Sequence, residues 1–226
     1  MVEYTTVARM ARVQFSPATL YKFREELKML TERRLQIGVM GSAQDLNYSR
    51  NLEELAEEVG SWIARGGAIL VFGAEKDYDS LSTAACRGAK KERGLTIGFT
   101  YGRGKDIYQK DADIIVVTGM ERGGGREFVL AASCDCMIAL SGGSGTLNEL
   151  VVAYQLGIPM VALKGTGGWA EKLADQYFDA RQRLKVIGAD TPKEAVEIAF
   201  EQGGKYIAKF RYKTYVSPES GLTFLR

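Results

Sequence analysis

Met137-Ile-Ala-Leu-Ser-Gly-Gly-Ser-Gly-Thr-Leu-Asn-Glu149 is an apolar run followed by a glycine-rich turn and the beginning of a helical segment. Glycines let a backbone turn sharply and come close to a ligand, and the free N–H groups of a helix's first turn face outward with the positive end of its dipole. This order predicts a phosphate site at Gly142, Gly143, Ser144, Gly145 and Thr146. The alternative is that the glycines only form a tight turn between strand and helix.

The pattern of short apolar runs and amphipathic segments repeats from Leu35 onward, which is typical of βα units and predicts a mostly parallel sheet. The predicted strands are Leu35–Met40, Ala68–Phe72, Leu95–Phe99, Asp113–Val117, Cys136–Leu140, Met160–Leu163 and Leu184–Ile187. The predicted helices are one capped by Ser49, then Leu81–Lys91, Arg126–Ser133, Thr146–Leu156, Trp169–Phe178 and Pro192–Phe200. We therefore predict an α/β, Rossmann-like fold with a sheet of about seven strands and helices on both faces.

Three segments make up the predicted organisation: an N-terminal helical extension at 1–34, a Rossmann-like nucleotide-binding domain at 35–203, and a C-terminal strand or tail at 204–226. Ser16-Pro17 begins the first helix, whose apolar side carries Leu20, Phe23, Leu27 and Leu30. This helix packs either on its own domain or on a second subunit.

Composition excludes several classes of function. The 226 residues contain no histidine, which removes Ser-His-Asp and Cys-His catalysis and histidine metal sites, and we predict no metal. No apolar run approaches the roughly 18 residues of a membrane span and no signal peptide begins the chain, so we predict a cytoplasmic protein without a membrane partner. The cysteines at 86, 134 and 136 are predicted to be reduced and buried.

A net charge of +2 does not indicate a nucleic-acid partner, although the basic cluster at Lys205–Lys213 and Arg122-Gly-Gly-Gly125 keep that alternative open. The glycines after the first two strands, in Gly38-Val-Met-Gly41-Ser42 and Phe72-Gly73-Ala74, do not form the G-x-G-x-x-G of dinucleotide enzymes. No G-K-[S/T] completes a P-loop either. Both absences disfavour NAD, FAD and this kind of ATP hydrolysis.

Gly38-Val-Met-Gly41-Ser42, Arg126 and Ser141-Gly-Gly-Ser-Gly-Thr-Leu-Asn-Glu149, in this order, resemble the LOG-like Rossmann superfamily, whose signature is P-G-G-x-G-T-x-x-E. The resemblance covers Leu35 to Phe200 and is greatest to the branch of molybdenum cofactor carrier-like proteins. Relatives have been labelled lysine decarboxylases, but nothing in the sequence suggests a pyridoxal phosphate site, and we reject that function.

The resemblance implies roles for individual residues. In the nucleotide-hydrolysing members the loop holds the 5′-phosphate, which assigns Gly142, Gly143, Gly145 and Thr146 to phosphate, with Gly41, Ser42 and Gly73 completing the nucleotide site. It assigns Arg126 and Glu149 to cleavage of the glycosidic bond, with Glu149 in the first turn of the helix that follows the loop. There its carboxylate would stabilise the oxocarbenium charge that develops on the sugar as the base leaves. The alternatives are a surface arginine and an ordinary carboxylate at a helix start. It also implies a homo-oligomer, a dimer or tetramer.

Three departures from the family pattern bear on function: Ser141 stands for Pro, Glu127 for the hydrolases' usual Lys, and Glu75–Ser80 for a glycine-rich turn. The last change reshapes one wall of the pocket and weakens hydrolysis more than binding. We therefore predict that the chain binds a phosphorylated nucleotide or pterin-type cofactor, either the molybdenum cofactor or a nucleoside monophosphate. The alternative is a nucleoside 5′-monophosphate phosphoribohydrolase.

Overall fold

The computed structural model describes residues 33–108 and 112–209, together with the backbone of 215–216 and 223–224. The chain divides into two compact units after Arg34, and the strands and helices described belong to the second unit, Leu35–Arg226. The predicted N-terminal helix lies outside the described residues.

Seven parallel strands form the central sheet, in the order β4-β3-β2-β1-β5-β6-β7. Their bounds are Gln36–Gly41 (β1), Ile69–Gly73 (β2), Thr96–Thr100 (β3), Ile114–Val117 (β4), Cys136–Leu140 (β5), Met160–Leu163 (β6) and Val186–Ala189 (β7). The α/β Rossmann-like fold predicted from the sequence is confirmed. The order runs outward in opposite directions from β1 and β5, which pair with each other, so their carboxyl ends flank the crevice where such sheets bind ligands.

Helices cover both faces of the sheet. Their bounds are Arg50–Arg65 (α1), Leu81–Lys91 (α2), Gly125–Ala132 (α3), Ser144–Leu156 (α4), Gly168–Leu173 (α5) and Pro192–Lys209 (α6). One face of the sheet packs on α1, α2 and α6, and the other on α3, α4 and α5. Strand side chains alternate between these two cores, with Ile37 and Val39 in the first and Met40 in the second. The three cysteines are buried, as predicted, and none of them forms a disulfide with another described residue.

Local signals placed several helix starts correctly. The hydroxyl oxygen of Ser49 accepts a hydrogen bond from the N–H of Leu52, and that of Ser80 accepts one from the N–H of Thr83, so each caps a helix.

Two helix ends differ from prediction. Helix α5 ends at Leu173 rather than Phe178, because Asp175 takes a left-handed φ of 62° and its N–H donates to Val186.

Helix α6 passes its predicted end at Phe200 and continues to Lys209, so residues 204–209 are helical rather than strand or tail. Gly203 is buried against Leu35 and Cys136, and this packing holds the helix through two glycines that by propensity favour an end. Beyond it, Tyr215–Val216 (β8) pairs with Thr223–Phe224 (β9) in an antiparallel ladder. No helix among the described residues is both long and apolar enough to span a bilayer.

Candidate functional site

A cavity of about 480 Å³ opens at the carboxyl ends of β1, β2 and β5. This size is within the usual range for small-molecule sites. Its lining comes from the ends of β1 and β2, four connecting segments and the amino-terminal parts of α2, α3 and α4: Gly41, Ala43, Asp45, Leu46, Gly73, Glu75, Tyr78, Ser80, Ser82, Arg122, Gly123, Arg126, Glu127, Gly143, Ser144, Gly145, Thr146, Asn148 and Glu149.

The turn between β5 and α4 is held by side chains from other loops. Ser141 and Gly142 both have positive φ values, 52° and 96°. The N–H of Ser141 donates to Thr166 Oγ1 at 2.9 Å, and the N–H of Gly142 donates to Ser42 Oγ at 2.9 Å. Ser42 Oγ in turn donates to Ser141 Oγ at 3.0 Å. Proline has a fixed negative φ and no N–H, so this turn excludes the family's usual Pro at position 141.

The amino end of α4 has no side-chain cap, because its N-cap residue is Gly143. The N–H groups of Ser144, Gly145 and Thr146 therefore lack partners within the helix and lie on the cavity lining. A Cβ added to Gly145 would meet no atom within 4 Å, so the protein's own packing does not demand glycine there. The helix thus presents bare N–H groups and open space to the cavity.

Of the other residues predicted for the site, Gly41 and Gly73 line the cavity, whereas Gly142 and Ser42 support the loop from behind. Gly142 and Ser42 lie behind the cavity surface and are hydrogen-bonded to each other, so the N–H of Gly142 is already used. Gly41 and Gly73 line the cavity, but each is also a point where another side chain packs closely against the backbone. A Cβ at Gly41 would lie 2.7 Å from Leu81, and one at Gly73 would lie 2.6 Å from the guanidinium of Arg126.

Arg126 is buried near the start of α3, with 7% of its side chain exposed, and so is not a surface arginine. Its Nη2 lies 3.2 Å from Glu127 Oε1 and 3.4 Å from Glu75 Oε1. Glu127 also accepts a hydrogen bond from the N–H of Gly124 at 2.9 Å, and thereby caps its own helix. The residue that replaces the hydrolases' usual Lys thus holds Arg126 in place.

Glu149 lies in the second turn of α4, which begins at Ser144, and not in the first turn as predicted. The helix begins at Ser144, two residues before the predicted start at Thr146. Glu149 is 6% exposed, and its carboxyl makes no hydrogen bond to any described residue. Burial raises its pKa to about 8, with the positive charge of Arg126 opposing the rise and Glu127 and Glu75 adding to it. It is therefore mostly protonated at neutral pH.

Glu75, Tyr78 and Arg122 are lining residues that the sequence reasoning did not assign to the site. Glu75 is buried and forms ion pairs with both Arg126 and Arg122. The Arg122 guanidinium also lies over the Tyr78 ring, 4.9 Å from its centroid. The only sequence signal was the unusual Glu75–Ser80 segment, because a pairing between residues 47 apart leaves no local pattern.

Comparisons with known proteins agree on a family and differ in the named activity. The family model described as "LDcluster4: SLOG cluster4 family" matches residues 34–196. A protein from Archaeoglobus fulgidus, described as uncharacterized, is 32% identical over 130 residues, or 58% of this chain and 80% of that protein. A cytokinin riboside 5′-monophosphate phosphoribohydrolase from Mycobacterium tuberculosis is 31% identical over 165 residues, covering 64% of this chain and 83% of that enzyme.

Two solved structures of molybdenum cofactor proteins are also similar. The molybdenum cofactor carrier protein from Chlamydomonas reinhardtii has a TM-score of 0.64 and 31% identity, covering 75% of this chain and 98% of that one. The molybdenum cofactor binding protein from Rippkaea orientalis has a TM-score of 0.64 and 27% identity, covering 76% of this chain and 98% of that one.

Proposed function

Since the chain belongs to the SLOG cluster4 family, which confirms the LOG-like resemblance of its sequence, we propose that it binds a phosphorylated nucleotide or pterin-type cofactor in the cavity. One observation carries the proposal. The uncapped amino end of α4 opens into the cavity with free space at Gly145, where a side chain would fit. A phosphate occupying that space accounts for both features.

Backbone N–H groups, rather than arginines, supply the attraction for the phosphate. Arg122 and Arg126 are already paired with Glu75, whereas Ser144, Gly145 and Thr146 direct unpaired N–H groups and the helix dipole at one point. Thr146 is held for this by its hydroxyl, which donates to the carbonyl of Gly41 at 3.3 Å. The molybdenum cofactor fits these residues as cargo, because its pterin carries a phosphate that the same N–H groups would hold.

Hydrolysis of a nucleoside 5′-monophosphate is the second candidate, favoured by the Glu149 carboxyl that lines the cavity. An ionised Glu149 would stabilise the oxocarbenium charge that develops as the base leaves, and Arg126 would favour that ionised form. Below about pH 8 the carboxyl is largely neutral, which removes this stabilisation at neutral pH. This raised pKa, rather than the shape of the cavity, is why we propose binding first and hydrolysis second.

Calorimetric titration with adenosine and guanosine 5′-monophosphates, combined with an assay for released base, separates the two candidates. A binding protein should show heat of binding without base release from either the wild type or Glu149→Gln. A hydrolase should release base, and Glu149→Gln should lower that rate on the order of a hundredfold while retaining binding. Release that survives the substitution contradicts the role of Glu149. Absence of binding by the wild type contradicts the proposed function for nucleotides.

The same proposal includes a cytoplasmic location, a homo-oligomeric state and no nucleic-acid partner. Each follows from the sequence arguments on composition and family resemblance. The cavity supports the last of these, because its volume suits a small-molecule ligand rather than a nucleic acid.

A further inference from the structure

Residues 75–80, between β2 and α2, form a braced wall of the cavity. The N–H of Gln44 donates to the carbonyl of Asp79 at 2.9 Å, and the N–H of Tyr108 donates to the carbonyl of Glu75 at 2.7 Å. Ala43 and Ser80 also form an antiparallel bridge. The segment is thus tied to neighbouring loops at both ends, and its one aromatic side chain, Tyr78, lines the cavity.

Tyr78 belongs to a stack that fixes the position of its ring. The Arg122 guanidinium carbon lies 4.9 Å from the ring centroid of Tyr78 and 5.1 Å from that of Tyr101. The guanidinium thus contacts both tyrosine rings, and it also forms an ion pair with the buried Glu75. Such cation–π contacts stabilise the position of the rings. Because Arg122 lies over one face of the Tyr78 ring, a ligand that stacks on Tyr78 would use the opposite face.

Tyr78 and the phosphate site line the same cavity. Tyr78 follows β2 and the phosphate site follows β5, and these strands are separated in the sheet by β1 alone. With about 4.8 Å between neighbouring strands, the carboxyl ends of β2 and β5 are roughly 10 Å apart, which is on the scale of a nucleotide or a phosphorylated pterin.

We propose that Tyr78 is the platform on which the planar heterocycle of the ligand stacks, so that the cavity selects phosphate esters with an aromatic ring over simple sugar phosphates. The inference rests on the proposed function, because it takes the phosphate to be bound at the amino end of α4. Stacking of a base on an aromatic side chain contributes on the order of 1–3 kcal/mol, which corresponds to a roughly ten- to hundredfold gain in affinity.

The test compares a ligand that has the ring with one that lacks it. Adenosine 5′-monophosphate, guanosine 5′-monophosphate and ribose 5-phosphate are titrated calorimetrically into the wild type, Tyr78→Ala, Tyr78→Phe and Tyr177→Ala. Released base is measured in the same samples, so that hydrolysis is not mistaken for weak binding. Tyr177, an exposed tyrosine outside the cavity lining, is the matched control.

Tyr78→Ala should weaken binding of both nucleotides about ten- to a hundredfold and change binding of ribose 5-phosphate less than about twofold. Tyr78→Phe and Tyr177→Ala should behave like the wild type. The purine H8 resonance should shift upfield on binding, and Tyr78→Ala should abolish that shift.

Equal losses for all three ligands in Tyr78→Ala, or no loss at all, would overturn the stacking role. So would a wild type that binds ribose 5-phosphate as tightly as the nucleotides, although the phosphate site would then stand. A wild type that binds none of the three overturns the proposed function for nucleotides and the stacking inference with it.

Discussion

Replacing Gly145 with alanine should make the protein more stable and a poorer binder at the same time. Gly145 is the second residue of α4, its φ is not positive, and a Cβ there would meet nothing within 4 Å. Alanine reduces the conformational entropy lost on folding, so the free energy of unfolding should rise by about 0.5–1 kcal/mol. The same methyl group would lie in the space that the proposed phosphate occupies, and affinity should fall at least about tenfold.

Gly204 provides the matched control for Gly145. It lies in α6, a methyl group added there would also meet no atom within 4 Å, and it is far in sequence from every residue of the cavity lining. Gly204→Ala should give a similar gain in stability without a change in affinity. Gly143 is a less clean site for this experiment, since a Cβ there would lie 2.8 Å from Leu46 Cδ1.

Urea denaturation measures the stability of each variant, and calorimetry with adenosine 5′-monophosphate measures its affinity. A Gly145→Ala protein that gains stability and binds as the wild type does would show that no ligand closely approaches this turn of α4. A Gly145→Ala protein that loses stability would show that the glycine serves the fold. Either result refutes the reasoning from open space.

Three further predictions concern the proton on Glu149, the turn before α4 and the assembly. The pKa of Glu149 is about 8 in the folded protein against an ordinary 4.5, so between these pH values the folded state keeps a proton that the unfolded chain releases. The free energy of unfolding of the wild type should therefore fall as pH rises from about 4.5 to about 8, by up to about 1.4 kcal/mol per pH unit. Urea titrations of Glu149→Gln should lack this slope, and parallel pH curves for the two proteins would contradict the raised pKa. Gly142→Ala should destabilise the fold by about 1–3 kcal/mol in thermal unfolding, because Gly142 has a φ of 96° and a Cβ would lie 2.5 Å from Thr146; an unchanged melting temperature would argue against this backbone. Sedimentation should show a dimer or tetramer, and a monomer at micromolar concentration would remove the predicted homo-oligomer.

Local patterns in the sequence were sufficient for most of the fold. The apolar runs at Cys136–Leu140 and Met160–Leu163 coincide with β5 and β6, Ser49 caps α1 as predicted, and α2 has the predicted bounds Leu81–Lys91. These features depend on neighbouring residues, because strand burial, helix capping and glycine turns are short-range effects. For the same reason the glycine-rich loop could be located from the sequence, including its place before a helix.

Long-range contacts decided what each residue of the site can do. Ser42 supports the loop through Gly142, a residue 100 positions later, and Glu75 neutralises Arg126 across 51 positions. No local pattern encodes either pairing. The start of α4 at Ser144 likewise depends on the loops that hold Ser141 and Gly142 at positive φ.

The sequence by itself determined the sheet, the helices that follow its strands and the glycine-rich loop before α4, since these follow from the periodicity and chemistry of adjacent residues. Only the tertiary structure decided that Glu149 is buried with a raised pKa and that Tyr78 lines the cavity beside Arg122. The physical reason is that desolvation and charge pairing depend on which distant segments the fold brings together.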